Sequence, residues 1–141
     1  MRRIVFLSLV LTFVLAGCQG TQPTAVNMPA LPDYVAGSSH EVHQAYQYGY
    51  LNEHELIHQP CYCGCNSIGH ENAYDCFVQG HDANGEPIWD NHAAGCGICI
   101  EIALDVKRLD ALGWTPLEIR GFIDETYSHR GPGTDTPMPA N

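Results

Sequence analysis

Basic residues are scarce in this sequence. Six lysines and arginines stand against sixteen aspartates and glutamates in 141 residues, a formal charge of −10 with histidine neutral. A surface of that sign repels a phosphate backbone, which argues against a nucleic-acid partner, and it offers no basic patch to anionic lipid. Long apolar runs are scarce as well. The one candidate, residues 4–16, is shorter than the roughly 20 residues a membrane-spanning helix needs. Catalytic signatures are missing: there is no His-Glu-x-x-His and no phosphate-cradling glycine loop, and neither Ser67 nor Ser128 sits in a triad pattern. The carboxylates are unpaired in sequence, and the whole favours a binding protein over an enzyme. The length allows one domain.

What is present begins at the N-terminus. Arg2 and Arg3 precede the apolar run, and Leu15-Ala16-Gly17-Cys18 closes it. A positive start, a short apolar stretch and small residues before a cleavage point read as an export signal over residues 1–17. The closing string resembles the bacterial lipobox, in which the cysteine is acylated and becomes the new N-terminus. The expectation is lipid on Cys18, anchoring the protein in the cell envelope on the extracytoplasmic side of a membrane. An ordinary signal peptide, or a short anchor left uncut, is the plainer alternative. Removing residues 1–17 takes two basic residues and no acidic one, leaving a formal charge of −12. Lipid rather than charge would then hold the chain at the membrane.

Residues 18–37, with several prolines and little periodicity, read as a flexible tether. Residues 38–130 read as a mainly α domain: a small helical domain with one long irregular Cys/His-rich loop. Ser38 and Ser39 are N-cap candidates for a first helical region. Its buried stripe is Ala45, Tyr46, Gly49 and Tyr50, with a break near Gly49 and Asn52 and a stop at Pro60. From residue 60 to 91 periodicity is weak, and Ala83-Asn84-Gly85-Glu86-Pro87 marks a turn. Irregular segments this long are functional or disordered, and the cysteines in this one favour function. Helical spacing returns at Ala93 with Ile98, Ile102, Val106 and Leu109, and ends at Gly113. Thr115-Pro116-Leu117-Glu118 is a capping box before Ile119, Phe122, Ile123 and Tyr127. Residues 131–141, with Pro132, Pro137 and Pro139, read as a disordered tail.

Six cysteines follow Cys18, and five of them fall in two tight groups: Cys61, Cys63 and Cys65, then Cys96 and Cys99, with Cys76 between. On a helix beginning at Ala93, Cys96 and Cys99 would share a face near the N-terminus, where the dipole favours thiolates. That suits two metal ligands and equally a redox dithiol. A haem attachment motif is excluded, because residue 100 is Ile rather than His. In an extended segment Cys61, Cys63 and Cys65 point to one side, and Gly64 lets the backbone bend so that the sulfurs converge. Disulfide scaffolds tend to spread their cysteines, whereas these cluster. A metal site is therefore favoured, with structural disulfides and thiol–disulfide exchange remaining open. Of the eight histidines, His70 and His92 are the candidates for completing such a site, and His81 is a weaker one.

Pro60-Cys61-Tyr62-Cys63-Gly64-Cys65 is a rare string. It resembles the motif of the PCYCGC-motif lipoproteins, a bacterial family of poorly defined function. Gly69-His70, Asp75-Cys76-Phe77, Trp89-Asp90 with His92, Cys96-Gly97-Ile98-Cys99 and Ile119-Arg120 look like further marks of it, so the likeness covers about residues 40–130. The resemblance implies export and lipidation, and no established reaction.

Soft thiolates select Cu(I), zinc or iron–sulfur centres. Cu(I) fits an exported protein best, because it accepts two or three thiolates and protects them from oxidation. Zinc, with four ligands in a closed structural site, is the alternative. The reading is an exported, lipid-anchored Cu(I) protein for storage, detoxification or delivery, using Cys61, Cys63, Cys65, Cys76, Cys96, Cys99, His70 and His92. Its expected partners are the membrane, through Cys18, and a copper donor or acceptor protein. The alternatives are a tethered oxidoreductase using Cys96 and Cys99, and a zinc- or disulfide-stapled binding module.

Overall fold

The computed structural model of the protein describes residues 28–140. The expected export segment, residues 1–17, and Cys18 lie outside the described residues. Among the described residues, no helix is long and apolar enough to cross a membrane.

The domain is mainly α, as its periodicity predicts. Ser39 caps α2 (His40–Leu51), its side chain accepting from the N–H of Val42 at 3.5 Å. The predicted break falls at Asn52, and α3 (Glu53–Leu56) follows. α4 (Gly97–Ala111) is the central helix, and both α2 and α5 (Pro116–Tyr127) pack against it. Gly113, left-handed at φ 81°, follows the end of α4, and Thr115 forms the expected capping box with Glu118. Ala45, Tyr46, Ile102, Val106, Leu109, Ile119 and Ile123 are buried between these helices. Tyr46 stands at the centre of an aromatic group, with ring centroids 5.1 Å from Phe77 and 6.1 Å from Trp89.

Four expectations fail, each for a physical reason. First, α4 begins at Gly97 and not at Ala93. Ala93–Gly95 is a separate 3-10 turn, and Cys96 is extended at φ −125°, ψ 106°. Second, the loop contains a hairpin. β1 (Val78–His81) pairs antiparallel with β2 (Pro87–Trp89) across the predicted turn, with an irregularity between Val78 and Gly80. These strands are too short to show a period of two. Third, the folded body starts before residue 38. α1 (Asp33–Ala36) buries Val35 completely, and the Tyr34 hydroxyl donates to the Asp90 carbonyl at 3.1 Å.

The fourth failure concerns residues 131–140, which form an ordered strap rather than a disordered tail. Thr134 brackets Cys61: its hydroxyl accepts from the Cys61 N–H at 2.9 Å, and its own N–H donates to the Cys61 carbonyl at 3.1 Å. Thr136 donates to the Glu71 carbonyl at 2.6 Å. The buried Arg120 guanidinium ties the strap to α5. It donates to the carbonyls of Thr136 at 3.2 Å, Pro137 at 3.3 Å and His58 at 3.0 Å, while pairing with Asp124. Side-chain hydrogen bonds to distant carbonyls leave no periodic trace in sequence, so composition alone misleads here.

The strap passes close over Tyr62, whose hydroxyl donates to Asp124 at 2.6 Å and holds the ring in place. A Cβ at Gly133 would lie 2.8 Å from that ring. Gly133→Ala is therefore expected to lower stability by about 1–3 kcal/mol. The urea midpoint measures this, and an unchanged midpoint would show that the strap does not press closely on the Tyr62 ring.

Candidate metal centre

Five sulfurs converge at one end of α4. Those of Cys61, Cys63, Cys65, Cys76 and Cys99 all lie within 4.8 Å of one another. Each arrives on a different local device. Cys61 is fixed by Thr134. Gly64 adopts φ 84°, a left-handed turn that folds Cys65 back toward Cys63 at the start of a 3-10 turn, Cys65–Ile68. Cys76 ends the 3-10 turn Tyr74–Cys76, and Cys99 lies in the first turn of α4.

The separations are 2.8 Å for Cys63–Cys65, 3.0 Å for Cys61–Cys63, 3.4 Å for Cys63–Cys99, 3.5 Å for Cys61–Cys76 and 3.9 Å for Cys61–Cys99. A disulfide has sulfurs about 2.05 Å apart. All six described cysteines are free thiols. Four sulfurs around an ion at about 2.3 Å stand roughly 3.8 Å from one another. The longer separations already match that edge, and the shortest would open by about 1 Å. Donor chemistry and spacing therefore both fit a soft ion held by thiolates.

Hydrogen bonding distributes the protons unevenly. Donation from Cys61, then from Cys76 and Cys99, holds the Cys63 thiol far below its ordinary value. At Cys61 the bond to Cys63 pushes upward, but the bonds from Cys76 and Cys99 outweigh it. Cys99 is raised by its bonds to Cys61, Cys63 and Cys76, and Cys76 by those to Cys61 and Cys63. Burial, then donation to Cys63, raises Cys65. Cys63, which accepts from its neighbours, is thus the thiol most favoured in its ionised form.

The sequence-predicted residues divide three ways. Cys61, Cys63, Cys65, Cys76 and Cys99 are brought together. His70 stands beside them, its Nδ1 3.4 Å from the Cys76 sulfur. Cys96 does not join. Its predicted place on one face with Cys99 required both residues to be helical, and Cys96 is the extended residue before α4. It lines an apolar groove with Val42, Ile100 and Leu104 instead. His92 is not a member of the thiol group either; its Nδ1 lies 2.7 Å from Asp90 Oδ1. His81 is exposed against the Tyr50 ring.

Asp90, noted in the sequence only as a mark of the family resemblance, is a candidate ligand that the spacing of an Asp two residues before a His could have suggested. Its carboxylate accepts from Gln79 at 2.7 Å and from the His92 backbone at 2.7 Å, and it is 1% exposed. Burial pushes its pKa up, but the hydrogen bonds from Gln79 and His92 prevail and hold it below the ordinary carboxylate value.

A five-thiol group able to hold a metal ion defines this protein chemically. Residues 21–139 match the family described as "Protein of unknown function with PCYCGC motif", and the chain belongs to that family. No curated protein and no solved structure matches the chain.

The Cys63 thiolate should persist as the pH falls, because its pKa is lowered. Partly exposed, it is expected to react with iodoacetamide at pH 6, where an ordinary thiol of pKa about 8.5 is protonated. Peptide mapping by mass spectrometry reads the site. A Cys63 rate that collapses between pH 8 and pH 6, like that of the urea-unfolded chain, would contradict the charge distribution.

Proposed function

We propose that the protein is an exported, lipid-anchored Cu(I)-binding protein serving storage, detoxification or delivery. The observation that carries this reading is the number and spacing of the gathered thiols: five sulfurs within 4.8 Å, none in a disulfide. Several thiolates buried together without a cation carry a large desolvation cost, so they bind either protons or metal ions. Metal entry displaces the protons that Cys65, Cys76 and Cys99 retain.

The number five bears on which ion. A single zinc takes four ligands and leaves one sulfur over. Cu(I) accepts two or three, and shared sulfurs let five thiols hold more than one ion. The donor set contains no carboxylate, which suits the softer metal. Zinc in four of the thiols is the alternative outcome. A thiol–disulfide mechanism through Cys96 and Cys99 is disfavoured, because Cys96 is turned into the groove beside α2 and Cys99 is 1% exposed. The export signal and Cys18 support placement on the extracytoplasmic face of a membrane, where a copper donor or acceptor protein would be the partner.

Cu(I) titration of the reduced chain without oxygen, against a competing chelator, tests the copper reading. More than one ion per chain is expected, with stepwise loss in Cys63→Ser and Cys99→Ser and no loss in Cys96→Ser. Less than one Cu(I) per chain would end the copper reading, and one zinc with four protected thiols would replace it.

Anchoring is tested separately by metabolic labelling with palmitate. The wild-type chain should carry label and sediment with membranes, whereas Cys18→Ser should do neither. Unlabelled wild-type protein would remove the lipid from the proposal.

A further inference from the structure

Beside the thiol group lies a pocket of about 460 Å³. Its inner wall carries His70, Asp90 and His92, whose ligand atoms also lie within 4.8 Å of one another. His92 Nδ1 is 2.7 Å from Asp90 Oδ1, and His70 Nε2 is 3.6 Å from Asp90 Oδ2. The two imidazoles meet edge to face with centroids 5.1 Å apart.

The geometry points to a second metal site here, distinct from the thiols, which takes one borderline divalent ion such as Zn²⁺ on two imidazoles and a carboxylate. It does not depend on what the sulfurs bind.

Three observations carry it. The first is charge. Asp90 is 1% exposed, and among the described residues no lysine or arginine pairs with it; its only ion-pair partners are the two histidines. A buried carboxylate with no fixed cation favours one from solution. The second is rigidity. The Asp90 carbonyl accepts from Tyr46 at 2.7 Å and Tyr34 at 3.1 Å, its N–H donates to Phe77, and Gln79 holds Oδ2 at 2.7 Å. That is the supporting shell a preformed metal ligand requires. The third is donor spacing. Ligands around an ion at about 2.0–2.1 Å stand roughly 3.3 Å apart in a tetrahedron, and one ligand atom from each of the three side chains already lies within 4.8 Å of the other two.

Access and ligand type agree. The His92 side chain is 45% exposed at the rim, while that of His70 is 9% exposed and lies deeper. Nitrogen and oxygen donors suit a borderline ion and leave the soft one to the sulfurs. Binding requires only that His92 carry its proton on Nε2, so that Nδ1 is free for the ion. His70 can bind through Nε2 and still donate from Nδ1 to the Cys76 sulfur.

Co²⁺ is the probe, added without oxygen to the reduced, detergent-solubilised full chain. Cobalt on thiolates gives an intense sulfur-to-metal charge-transfer band, whereas cobalt on nitrogen and oxygen gives only weaker visible bands. The expected result is one Co²⁺ per chain that is lost, or bound at least tenfold more weakly, in His92→Ala. The wild-type-minus-variant spectrum should lack the sulfur band. His92 is at the surface, so the variant should keep the wild-type circular dichroism and its thiol-bound cobalt. Equal Co²⁺ binding by wild type and His92→Ala, or a lost ion that carries the sulfur band, would overturn the proposal. Failure of the thiols to bind cobalt would count against the first site alone.

Discussion

Cys61 is the point at which the structure is most tightly constrained. Its sulfur touches those of Cys63, Cys76 and Cys99, and both of its backbone hydrogen-bonding groups are taken by Thr134. It is 1% exposed. A residue so enclosed cannot shift without moving the motif loop, α4 and the strap together. The capped helices, the hairpin and the Arg120 clasp can each be understood as fixing one of the segments that meet at this sulfur.

The helices were legible in the sequence where local chemistry decides them. Ser39, the Thr115–Glu118 capping box and the apolar spacing of α4 and α5 act within one or two turns, so they are visible in a short window. The start of α4 lies four residues later than the spacing predicts, because 93–95 are compatible with either helical form, and Cys96 thereby leaves the face it was expected to share with Cys99. The hairpin is local, but its strands are too short to show a period of two. The strap and the role of Asp90 are instead defined by partners far along the chain: Thr134 by Cys61, and Asp90 by Tyr34 and Tyr46. Sequence spacing carries no record of such pairings.

Clustering was a better guide to the thiols than compartment. The expectation of export would by itself invite a disulfide framework by default. The crowding of Cys61, Cys63 and Cys65 argued otherwise, and these three do share one centre with Cys76 and Cys99. The histidines divide the surroundings by hardness. Sulfur gathers on one side, imidazole and carboxylate on the other, and His70 stands between them with Nδ1 toward the Cys76 sulfur and Nε2 toward Asp90.

The clasp between Thr134 and Cys61 also sets an order of events during biosynthesis. Cys61 leaves the ribosome long before residue 134 has been made, so the enclosing wall of the thiol chamber arrives last. Until then the early cysteines emerge as an open, oxidisable string. Whatever keeps them from cross-linking in that interval must come from the surroundings of the nascent chain, because the fold that shelters them does not yet exist.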